Sequence, residues 1–94
     1  MYPLVLSHDL VQPFKFWYQD EVCEGMCSDM EIYRLLSTHK AEDRQKAFAL
    51  GIALEEHGAH VRITCVRHEC KVWVSLRTLH VAALVLATSG AKTV

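Results

Sequence analysis

The stretch VRITCVRHECKVWVSL, residues 61–76, decides how the rest of the chain is read. Val61, Ile63 and Cys65 alternate with Arg62 and Thr64, and Cys70, Val72, Val74 and Leu76 alternate with Lys71, Trp73 and Ser75. A period of two in β-favouring residues on both sides of a short polar break is the pattern of a β-hairpin. With Val66 to Glu69 as the loop, Cys65 faces Cys70, Ile63 faces Val72 and Val61 faces Val74. This register puts the aliphatic and thiol side chains on one face and pairs Thr64 with Lys71 and Arg62 with Trp73 on the other.

Working toward the amino terminus, Gly58 and His57 read as the end of a helix over 41–57. Ala47, Leu50, Gly51 and Leu54 form its apolar stripe, which Phe48 and Ile52 widen. Before it, Ser28 and Glu31 have the spacing of a capping box and predict a shorter helix carrying Ile32, Leu35 and Leu36, with Ser37, Thr38 and His39 as the break. Residues 20–27 lack periodicity and read as a connection, with Cys23 and Cys27 as partly buried thiols anchoring it. Phe14, Phe16 and Tyr18 alternate with Lys15, Trp17 and Gln19 and predict a first strand. Residues 1–12 read as a loosely attached arm or a short edge strand. On the carboxyl side, Thr78 precedes an apolar segment, Leu79 to Ala87, that is read as a helix in preference to a buried strand. Residues 89–94 read as a frayed tail, with a short final strand at 91–94 as the alternative.

Ninety-four residues, half of them apolar, suit one domain over 1–94 with one modest core. The expectation is an α+β fold: a small antiparallel sheet with helices packed on one face, in the order β-α-α-β-β-α. That element order resembles SPOR-like and ferredoxin-like domains, and the resemblance implies a fold and no activity.

The net charge of -1 conceals an asymmetry. Residues 1–31 hold six acids against Lys15 alone, and residues 32–94 hold nine Lys or Arg against five acids. Opposite charge at the two ends suits guided docking or self-association, whereas a general nucleic-acid binder is usually more basic. The first residues lack the pattern of a secretory signal, and four cysteines in a chain that can bury a core read as reduced thiols, so the expected location is the cytoplasm. The apolar segment at 79–87 falls far short of the ~20 residues that span a bilayer.

No glycine-framed serine, HExxH or phosphate loop is present, and no cofactor is implied. Adjacent acids at Asp20-Glu21 and Glu55-Glu56 read as solvated charges. Cys65, His68 and Cys70 form a weak candidate for a metal site, with a thiol redox switch as a further alternative. Two buried thiols packing as small hydrophobes is the simpler reading. The candidate binding surface is the outer hairpin face, where Arg62, Arg67, Lys71, Trp73 and Arg77 would combine cations with an indole, joined by Trp17 on the first strand. The expected function is a non-enzymatic binding or regulatory protein acting on a larger protein partner. A nucleic-acid module on the same face is the alternative, and pairing of edge strands would give a homodimer.

Overall fold

A computed structural model describes residues 4–7 and 12–88. The elements in chain order are β1 (Leu4–Ser7), β2 (Phe14–Tyr18), β3 (Glu21–Ser28), β4 (Glu31–Lys40), a single 3-10 turn at Ala41–Asp43, α1 (Arg44–Glu56), β5 (Val61–Cys65), β6 (Glu69–Ser75), a second 3-10 turn at Leu76–Thr78, and α2 (Leu79–Thr88). The class is α+β, as expected. The order is different, because four strands precede α1.

The six strands form one sheet in the order β1-β5-β6-β4-β3-β2. β2 through β6 pair antiparallel, and β1 adds to β5 in parallel at one edge. Of the 1–12 segment, residues 4–7 are therefore an edge strand. Residues 1–3 and 8–11, like the tail 89–94, lie outside the described residues.

The hairpin at 61–76 has the register its alternation predicts: Val61 opposite Val74, Arg62 opposite Trp73, Ile63 opposite Val72, Thr64 opposite Lys71 and Cys65 opposite Cys70. Any slip by one residue would have turned four valine and isoleucine side chains to the wrong face. Those side chains join Ala47 and Leu54 of α1 and Ala82 of α2 in the main core, so both helices cover the same face of the sheet. α1 ends where the sequence places it, with Gly58 at φ +98°, a conformation that suits a residue lacking Cβ. The Glu55 carboxylate then accepts from Val61 N–H at 2.9 Å and ties the helix end to β5.

The predicted short helix after Ser28 is instead a β-hairpin. Ser28 and Glu31 are directly opposed residues of β3 and β4, joined by Asp29 and Met30, whose φ values are 52° and 64°. Two consecutive left-handed residues make a type I′ turn, the connection that matches the twist of paired strands. The spacing i to i+3 is common to a capping box and to the pair that closes a two-residue hairpin, and here pairing won. Gln19 and Asp20, at φ 51° and 67°, make the same kind of turn between β2 and β3. The connection predicted at 20–27 is accordingly strand β3, with Cys23 buried and Cys27 exposed.

β4 carries a bulge between Leu35 and Ser37, and Leu36 packs against the helix-side core. Bulges raise local twist, and this sheet is strongly curled. Arg62 of β5 reaches Ser28 and Asp29 at the tip of the β3–β4 hairpin, although β6 and β4 intervene in the sheet. Lys71 of β6 likewise reaches Glu24 of β3 across β4.

Candidate interaction site

The curl decides what becomes of the hairpin's outer face. Trp73, expected in solvent, is 0% exposed and forms a second small core with Met26, Tyr33 and Leu35. Its indole N–H donates to Thr64 Oγ1 at 2.9 Å, which satisfies the one polar atom the ring carries into the interior. The register that aligns Arg62 with Trp73 was right, but the guanidinium lies over the Tyr33 ring instead, 5.0 Å from its centroid.

The cations of that face are also engaged. Arg62 donates to Asp29 at 3.1 Å and to Ser28 Oγ at 3.3 Å. Lys71 sits 3.7 Å from Glu24 and 3.8 Å from Glu69. Arg77 is well exposed, yet its Nε lies 3.4 Å from Glu31. Arg67 is exposed in the β5–β6 loop. The expected single surface of four cations and an indole therefore does not exist. A curled sheet has an inside, and residue types cannot show which face it encloses.

Glu31 is the centre of a polar cluster that sequence reasoning missed. Its carboxylate accepts from Tyr33 Oη at 3.1 Å, lies 3.7 Å from His60 Nδ1 and meets Arg77 as above. Burial raises the Tyr33 phenol to about 12, opposed by the Arg62 guanidinium and reinforced by Glu31. The phenol is thus a hydrogen-bond donor at neutral pH. Glu31 Oε2 is buried and has the Arg77 ion pair but no hydrogen bond, and the cluster ties the β3–β4 hairpin to His60 and Arg77.

Of the proposed metal ligands, the two thiols meet and His68 stands apart. Cys70 is buried and Cys65 packs against the helix-side core, while His68 is exposed on the loop. Among the described residues no three His, Cys, Asp or Glu side chains gather as a metal site. The two thiols are in contact, Sγ to Sγ 2.7 Å. Burial and the Cys70 contact push the Cys65 thiol up to about 12, far from the reactive thiolate that a redox sensor uses.

Among the described residues, exposed apolar surface lies along α2 and β2. α2 is apolar at eight of its ten positions, from Leu79 through Ala87 with only His80 interrupting, and its outer side places Leu84 66% exposed beside exposed Ala83 and Ala87. Between α2 and the sheet runs a cleft of ≈ 400 Å³ lined by Tyr18, Arg34, Leu36, Leu79, Ala83 and Leu86, among others. Arg34 stands at its wall under the Tyr18 ring, 5.7 Å from the centroid, with Glu21 4.0 Å away. Phe14, Phe16 and Tyr18 continue this surface as a row of rings spaced 5.9 and 6.3 Å. The row packs over Gly25, where a Cβ would come within 2.6 Å of Phe16.

No family model, curated protein or solved structure matches the chain. The functional reading therefore rests on this geometry. Among the described residues no helix is long and apolar enough to cross a membrane.

Proposed function

We propose that the chain is a small non-catalytic binding protein of the cytoplasm that acts through protein–protein interaction, seating an apolar side chain of a larger partner in the cleft between α2 and the β2–β4 end of the sheet. The observation that carries this reading is the exposed apolar side of α2. A helix that is apolar on nearly every side and still presents Ala83, Leu84 and Ala87 to solvent marks an interaction surface. Arg34 at the cleft wall, whose one carboxylate neighbour among the described residues is the well-exposed Glu21 at 4.0 Å, favours a partner segment that brings a carboxylate beside its apolar anchor. A nucleic-acid module has less support, because Trp73 is interior and Arg62 and Lys71 already face carboxylates.

Ala83→Glu tests this reading. Ala83 is exposed and lines the cleft, so the substitution should leave melting within about 0.5 kcal/mol of wild type while filling the cleft with charge. The expected outcome is a partner retained from native lysate by the wild-type chain and lost by Ala83→Glu at equal loading. Equal capture by both chains would overturn the proposal.

A further inference from the structure

A different surface, the free side of β2, carries a more specific inference. Among the described residues β2 is the last strand of the sheet, paired with β3 on one side alone. Its two-residue turn to β3 makes Tyr18–Glu21 a hydrogen-bonded pair, and alternation does the same for Phe16–Cys23 and Phe14–Gly25. The backbone N–H and C=O groups of Lys15 and Trp17 consequently point away from β3, along the open edge. Trp17 is 74% exposed there, and Lys15 is exposed beside it.

We propose that two copies of this chain pair through their β2 strands, antiparallel and in one register, with Phe16 on the two-fold axis. Lys15 then lies opposite Trp17 of the second copy, and Trp17 opposite its Lys15. This register uses every outward N–H that the strand offers. Sliding by two residues toward the amino terminus sets Lys15 against Lys15 and calls on Pro13, which has no N–H. Sliding the other way calls on Gln19, whose φ of 51° belongs to the turn.

Side-chain chemistry selects the same register. Lys15 has Glu24 as its register neighbour on its own β3; the indole of the second copy would stand on the opposite flank and make a cation–π contact. On the other face the two Phe16 rings meet across the axis, flanked by Phe14 against Tyr18 on each side. The joined strands form one sheet of twelve, and an edge that could otherwise pair without control is closed by symmetry.

The test is sedimentation velocity of the full chain over a concentration series. Wild type is expected to dimerise. Trp17→Lys places like charges opposite each other twice and should weaken the dimer by about tenfold or more. Lys15→Glu combined with Trp17→Lys should restore it, since each introduced carboxylate then faces an introduced ammonium of the second copy. Amide hydrogen exchange supplies a readout that needs no variant: the Lys15 and Trp17 amides should gain protection as wild type is concentrated. A wild-type chain monomeric throughout the series, a dimer unaffected by Trp17→Lys, or a double variant no tighter than Trp17→Lys alone would each overturn the proposal. Ala83→Glu leaves this edge untouched, so failure of the dimer and failure of the cleft reading are separable.

Discussion

At the scale of single residues the two tryptophans part company: Trp17 is in solvent, as its place beside Lys15 implies, and Trp73 is not. Trp73 alternates with Lys71 on a strand whose other face is all valine and cysteine, and it is interior; Trp17 sits in a run of aromatics and is in solvent. Emission should separate them. A Trp17→Phe chain, whose only indole is Trp73, is expected to emit at short wavelength and resist acrylamide quenching, while Trp73→Ala should cost about 3–5 kcal/mol in urea unfolding. A quenchable, red-shifted Trp73 would refute the curled sheet. Tyr33 gives a second measurement. The unfolded chain releases a phenol proton near pH 10, but the fold holds it to about 12, so stability is intact below pH 10 and falls as pH rises from 10 to 12. The loss should approach about 2 kcal/mol relative to Tyr33→Phe over that window; parallel pH profiles of the two chains would show that the phenol is not held.

At the scale of elements, α1 and the 61–76 hairpin were legible because each has a long run of one period and a distinct end signal. The β3–β4 hairpin was not. Its turn, Asp29-Met30, carries none of the usual glycine, its first strand spreads Glu21, Glu24 and Gly25 through the alternation, and Ser28 with Glu31 imitates a helix start. Met30 is fully exposed in a left-handed conformation, which disfavours a residue with Cβ. Met30→Gly keeps Asp29 on Arg62 and creates the Asp-Gly pair that this turn prefers. It should stabilise the chain by roughly 0.5–1 kcal/mol, read as a higher urea midpoint at unchanged slope. A lower midpoint would mean that the turn is not type I′.

At the scale of the whole molecule, local pattern and global shape parted at the sheet's curl. The alternation in 61–76, with Val66 to Glu69 as the loop, determined which residues pair and which share a face, since a one-residue slip would part Val61 and Ile63 from Val72 and Val74. Residue composition also determined that the chain could bury one core, and Gly58 determined where its longer helix stops. Only the tertiary structure decided that β3 and β4 fold over the far face and shut Trp73 inside, that Arg62, Lys71 and Arg77 are met by Asp29, Glu24 and Glu31, and that, among the described residues, β2 and α2 present exposed apolar side chains. The physical reason is range. Strand pairing within a hairpin is set by neighbours in sequence, but which face of a sheet becomes an interior depends on contacts such as Arg62 to Asp29, thirty-three residues apart, that no local period encodes.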